Sequence, residues 1–208
     1  CLVMEMLQRL TPYQRHKTVY IVSSDTMVEN PIVKNYMHRM SAMINQAGNE
    51  LKVKADIIYP EIADTFWSKV IGLGYPTPEA PGFRWCTERL KIHPMNKYTL
   101  DTIKTNGQVV LLLGVRKAES TYRANNIRSR EIEGKILVPH TDIEGAHVYN
   151  PLTEIPNELV WKFLLKDDSR TPWGSDNKYL FSLYHIFVLH TSTEPFTSYT
   201  TQTEKILR

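Results

Sequence analysis

Cysteine is scarce: Cys1 and Cys86 are the only two in 208 residues. That excludes a disulfide scaffold and any all-cysteine metal site built within this chain. Neither CxxC nor HExxH occurs, which removes the familiar zinc readings. Long apolar runs are missing too. The longest, Val109 to Val115 with Gly114 inside it, falls far short of a membrane span. No signal-peptide pattern opens the chain, so a reducing cytoplasm is the expected location, with no membrane partner. Charge of one sign is also in short supply. The 25 basic residues exceed the 22 acidic ones by only +3, which permits anionic ligands without marking a DNA-coating protein.

What is present is ordinary for a folded chain. Apolar residues make up 42% and charged residues 23%, against a disordered composition. The length suits one substantial α/β domain with room for an appendage. Leu2, Val3, Met6, Leu7 and Leu10 recur at helical spacing from the first residue, with no capping residue before them. We read this as a chain whose upstream part is not shown.

Further on, Thr18–Val22 and Lys52–Ile58 read as strands. Between them a helix starts at Pro31 and ends at Gly48, with Ile32, Tyr36, Met40, Met43 and Ile44 as its apolar stripe. Residues 64–71 suit a short helix, 72–82 a Gly/Pro loop and 84–92 a helical turn. A helix then begins at Pro94 and stops near Gly107. Val109–Leu113 (VVLLL) has the look of a buried parallel strand. Helices follow at 118–130, 156–165 and 176–189, with a strand at 148–152. From Thr191 to Glu204 eight of fourteen residues are Ser or Thr with no apolar period, so 190–208 reads as a tail outside the core. Alternating strands and helices predict a parallel sheet that binds ligands beyond the carboxyl ends of its strands. The loops 23–29 and 114–123 leave predicted strands at that end.

Three stretches can carry chemistry. Asp25 and Thr26 follow a strand directly and suit a ribose, an amine or a metal-bound phosphate. On spacing alone, an Asx or Ser/Thr turn that simply ends the strand is the preferred reading. Glu29 fits the first turn of the next helix. In Phe83–Lys91 (FRWCTERLK) cations surround Cys86, a setting that favours thiolate. A structural cysteine beside a basic surface face fits too. Gly114-Val115-Arg116-Lys117-Ala118-Glu119-Ser120 with Arg123 joins a strand to a helix. Its glycine, helix amides and arginines suit an anion, although a tight turn with a solvated basic helix has the same pattern. His140 and His147 show no ligand spacing, and Trp173-Gly174 reads as a packed turn.

Taken together, VSSDTMVENP, DTFW, GLGYP, FRWCTERLKI, LLLGVRKAES and PWG resemble the phosphoadenosine-phosphosulfate reductase-like branch of the PP-loop ATP pyrophosphatases. Within it the DndC-like sulfurtransferases of DNA phosphorothioation match most closely, from Cys1 to about Tyr184. The resemblance implies an α/β, Rossmann-like (adenine nucleotide alpha hydrolase-like) parallel sheet with helices on both faces. It places the domain at 1–189. The implied chemistry splits ATP to AMP and pyrophosphate, and adenylation lets sulfur replace a non-bridging DNA phosphate oxygen. A 4Fe–4S cluster, a cysteine desulfurase as sulfur donor, and other Dnd proteins belong to the same expectation. Carried over by position, Asp25 and Thr26 fall in the nucleotide pocket. Gly114, Arg116, Glu119, Ser120 and Arg123 fall in the anion-binding segment. Cys86 is the first cluster ligand. Thr87, Arg89 and Lys91 line its segment.

Two departures shape the expectation. The SGGKDS loop and its strand, which should stand just before Cys1, are absent, so the first strand is missing. No further cysteine follows PWG, and a lone Cys86 cannot hold a four-iron cluster. The sequence therefore predicts a DndC-like core that is inactive as an isolated chain. Two other readings stand beside it: a phosphosulfate reductase or ATP sulfurylase relative of sulfate assimilation, and a non-catalytic remnant that binds Dnd partners.

Overall fold

In a computed structural model, residues 2–47, 50–77, 85–166, 177–179 and 181–182 are described. Cys1, Gly48, Phe83, Arg84, Trp173, Gly174 and the Ser/Thr-rich tail lie outside them, as does most of the helix expected at 176–189. The described elements form a mixed α/β fold. The chain divides into two compact units. One holds 6–111 and 136–149, and the other holds 1–5, 112–135 and 150–208.

The larger unit is built on two parallel strands, β1 (Val19–Ser24) and β2 (Val53–Ile58), paired in register from Val19↔Val53 to Ser24↔Ile58. They are the strands legible in the sequence, each displaced by one or two residues. A right-handed crossover is the rule for such a pair, and α2 (Pro31–Ala47) makes the connection. Pro31 fits its first turn because that position's N–H has no helical partner. Ile44 is buried from α2, as are Val53 and Ala55 from β2, whereas Ile32 stays 47% exposed despite its place on the expected stripe. The side chain of Asn45 donates to the Ala55 carbonyl at 2.9 Å and accepts from the Ala55 N–H at 2.8 Å. One amide thus ties α2 to β2 and satisfies two strand groups that β1 does not reach.

The helix expected to begin at Pro94 begins nine residues earlier. One turn of α-helix, α3 (Trp85–Thr87), runs into a π-helical turn (Glu88–Ile92) and on into α4 (His93–Asn106) without a break. The reason is local. Pro94 has no N–H for the residue four before it, and its ring crowds that carbonyl. The wider turn absorbs the misfit, with the His93 N–H reaching back to the Glu88 carbonyl. The short helix expected at 64–71 is present at 66–73, with a π-helical middle (Ser68–Gly72), after a separate 3-10 turn (Ile62–Asp64).

The expectation of a buried strand in VVLLL is corrected. β3 (Val109–Leu112) belongs to a second sheet of order β3-β5-β4, with β4 (Val138–Pro139) and β5 (Ala146–Tyr149) antiparallel to each other. Val110 and Leu112 are about half exposed. An apolar run records what a strand can bury, and here one face of β3 is left uncovered among the described residues. In the smaller unit, the helix expected at 118–130 is split. A 3-10 turn (Lys117–Glu119) precedes α5 (Thr121–Arg128), and α6 (Asn157–Leu165) follows. Ala124 and Ile127 of α5 are buried. At the other end of the sequence, α1 (Leu2–Arg9) buries Leu7, but Met6 and Leu10 face solvent.

Candidate functional site

The loop leaving β1 carries the first predicted residues. Asp25 is fully buried and Thr26 is 3% exposed. The Asp25 N–H continues the sheet by donating to the Ile58 carbonyl at 2.9 Å. Its carboxylate accepts from the Met27 N–H at 2.8 Å, forming an Asx turn that holds Met27 at φ 64. Lys34 and His38, both from α2, close on the other carboxylate oxygen at 3.2 and 3.3 Å. Burial opposes the charged form, but these hydrogen bonds outweigh it and hold the Asp25 carboxyl below its ordinary value. Asp25 is therefore a buried anchor that shapes the loop. Thr26 is turned the same way, its hydroxyl bonded to Glu29 at 3.0 Å.

Glu29 makes the connection that spacing could not show. Its carboxylate lies 3.7 Å from the Lys91 ammonium. The FRWCTERLK stretch thus meets the loop at the carboxyl end of the parallel pair. Trp85, 5% exposed, fixes that stretch in place. Its indole N–H donates to the Pro76 carbonyl at 3.0 Å, and its ring stacks on Phe66 and meets Tyr75 edge-on. Four residues further, Arg89 donates to Asp64 at 2.8 Å, and Lys69 reaches the same oxygen at 3.0 Å. Asp64, Lys69 and Phe66 come from the segment read as a short helix, where DTFW is one of the resembling motifs but no residue is given a role. Spacing gave no signal for the Asp64–Arg89 pair, 25 residues apart, or for the stacking of Phe66 on Trp85.

Cys86 sits on α3, half-buried and unpaired as a thiol. Among the described residues no group of three His, Cys, Asp or Glu side chains is placed to hold a metal ion. The chain's two cysteines cannot supply the four thiolates of a 4Fe–4S cluster, so its residues do not fit that group by themselves.

The second predicted segment lies in the smaller unit. Its glutamate is gripped from two sides. Arg123 donates to Glu119 one helical turn away, and the Arg116 Nε stands 3.4 Å from the other carboxylate oxygen. That Nε is buried and lacks a hydrogen bond of proper geometry. Ser120 caps α5, its hydroxyl accepting from the Arg123 N–H at 3.1 Å. One of the helix amides expected to face an anion is thereby satisfied internally. Gly114 has room beside it, since an added Cβ would meet the Leu152 side chain only at an ordinary contact distance of 4.0 Å. Lys117 is held by Glu154 and Glu131, which raise its pKa. So the two arginines, Glu119 and Ser120 do cluster, in a network that is internally paired.

No protein-family model matches this chain, and no curated protein matches it. Among the described residues no helix is long and apolar enough to cross a membrane.

Proposed function

We propose that this chain is the core of a DndC-like ATP pyrophosphatase and sulfurtransferase, with a Rossmann-like nucleotide-binding domain, serving DNA phosphorothioate modification. The observation that carries the reading is the Glu29–Lys91 contact. It joins the two most specific stretches of the larger unit, the loop after β1 and FRWCTERLK, at the carboxyl end of parallel strands. Open α/β sheets bind their ligands at that end. The motif set quoted above supports the nucleotide and sulfur chemistry.

In this reading Asp25 and Thr26 fix the loop from below. Lys91 and Arg89 supply positive charge beside it. In the smaller unit Arg116 and Arg123 are the anion-binding groups, and they need only exchange Glu119 for a ligand oxygen. Splitting ATP between its α and β phosphates transfers AMP to a DNA phosphate oxygen. That oxygen can then leave with AMP as sulfur enters. The cluster plays no part in these assignments.

Equilibrium dialysis with radiolabelled ATP tests the proposal. Binding is expected, weakened about tenfold or more in Lys91→Ala, the cost of a lost charge-assisted hydrogen bond. Pyrophosphate release from the bound ATP would show a complete catalytic core. Failure to bind ATP would leave the partner-binding reading in its place, and reduction of phosphoadenosine phosphosulfate to sulfite would favour a reductase.

A further inference from the structure

Helix α5 of the smaller unit is short and is made from residues that do little for a helix. Thr121, Tyr122, Asn125 and Asn126 fill four of its eight positions, and all are weaker helix formers than Ala, Glu or Lys. Buried Ala124 and Ile127 hold its inner face, and Ser120 caps its start. Helical spacing brings Tyr122, Asn125 and Asn126 together on the opposite face. Tyr122 is 75% exposed, Asn125 is exposed and Asn126 is half-buried. Arg128 flanks this face at the end of the helix, and Arg130 follows just beyond it, both exposed. Among the described residues none of these five side chains has a hydrogen-bond or ion-pair partner. A face that only meets solvent is served best by charged residues that also favour the helix. This one presents uncharged hydrogen-bonding groups at a cost in local stability, a departure expected where a surface has work to do.

The charge around the face is positive. From Arg116 to Lys135 six cations stand against three acids, and Glu154, which pairs with Lys117, makes four. Arg116 and Arg123 are turned to Glu119, and Lys117 to Glu131 and Glu154. The surplus therefore lies in Arg128, Arg130 and Lys135, with Glu133 against them.

We infer that α5 reads the major groove of double-stranded DNA, with Tyr122, Asn125 and Asn126 on base edges and Arg128 and Arg130 on the flanking phosphates. An Asn amide carries a donor and an acceptor side by side, which matches N6 and N7 of adenine in that groove. A helix with its side chains is about 10–12 Å across, the width of the groove. The major groove of duplex RNA is too deep and narrow for side chains to read. The inference deepens the proposed function and rests on it for DNA as the partner. It adds a surface that chooses sequence, and it leaves Arg116 and Arg123 to the nucleotide.

Fluorescence anisotropy of the full chain with short randomised DNA duplexes, followed by sequencing of the bound fraction, tests it. A preferred site containing adenine is expected. Asn125→Ala and Asn126→Ala should each weaken binding to that site about fivefold or more and relax one position of it, with binding to unrelated duplexes unchanged. Both introduce the best helix former, so the melting temperature should hold or rise while binding falls. A merely structural role would lower the two together. Arg128→Gln and Arg130→Gln should weaken binding to all sequences alike, and each should reduce the salt dependence by about one phosphate contact. Lys104→Gln, in the larger unit, should change nothing. Absence of DNA binding, no enriched sequence, equal binding of duplex RNA, or an unchanged site and affinity in both Asn variants would overturn the inference. ATP binding is read separately by dialysis. ATP bound without sequence-selective DNA binding would leave the nucleotide chemistry standing, and selective DNA binding without ATP would sink the proposed function alone.

Discussion

Arg89 donates to Asp64 at 2.8 Å across 25 residues of sequence, and this pair locks the Cys86 segment to the segment that follows β2. Lys69 shares the same carboxylate from a nearly buried position. Lys69 first, and Arg89 after it, hold the Asp64 carboxyl below its ordinary value against the opposing effect of burial. Asp64→Asn would leave the Lys69 ammonium with no counter-charge. We expect it to lower stability by about 1–3 kcal/mol, read from the urea midpoint. Asp101→Asn breaks an exposed pair with Lys104 and should cost about 0.5 kcal/mol or less.

That relationship also shows which part of the site the sequence could reveal. Asp25 and the turn that follows β1 were legible, because a strand ending in Asp is a local pattern. Pro31 and the β-branched runs likewise marked α2, β1 and β2. The Asp64–Arg89 pair was not legible, since no spacing rule links positions 25 residues apart, and Lys69 joins it from a π turn that the sequence did not show. Pro94 misled for a physical reason. A proline fits a helix start, yet a π turn ahead of it lets the helix run through. VVLLL misled in a different way. Its apolarity was read correctly, but the neighbours that would cover it are a property of the whole fold.

Asn45 offers a second test. Its side chain satisfies both backbone groups of Ala55, which is only 5% exposed. Asn45→Ala would leave the Ala55 N–H unpaired at the strand's edge and its carbonyl with only the long bond from the Ser41 hydroxyl, 3.5 Å. The expected loss is about 1–3 kcal/mol. Native-state hydrogen exchange should show it locally, as faster exchange of the Ala55 amide. Equal exchange at Ala55 in the two proteins would show that the clamp contributes nothing.

Ser120 is the one side chain seen capping α5, a helix of eight residues. Short helices depend on such caps, because each end leaves backbone groups without partners. Ser120→Ala should cost about 1 kcal/mol, and Ser120→Asp should restore most of it. Thermal unfolding followed by circular dichroism separates the three proteins. A neutral Ser120→Ala would place the stability of that turn in Glu119 and its two arginines instead.

Acid should unfold the protein partly through Asp25. Its folded pKa lies below the ordinary value of 3.8 that it regains on unfolding. The folded state therefore binds this proton less readily. The stability Asp25 contributes is fully present above pH 3.8 and is lost as pH falls through the lower, folded value. Asp64 has the same sign and adds to the slope. Asp25→Asn keeps an oxygen for the Met27 N–H but gives up the ionic contact to Lys34 and alters the hydrogen bond with His38. It should lower the melting temperature at neutral pH and flatten its fall below pH 4. A variant whose melting temperature drops in parallel with the parent through that range would mean that Asp25 carries no net charge in the folded state. The loop after β1 would then rest on hydrogen bonds alone.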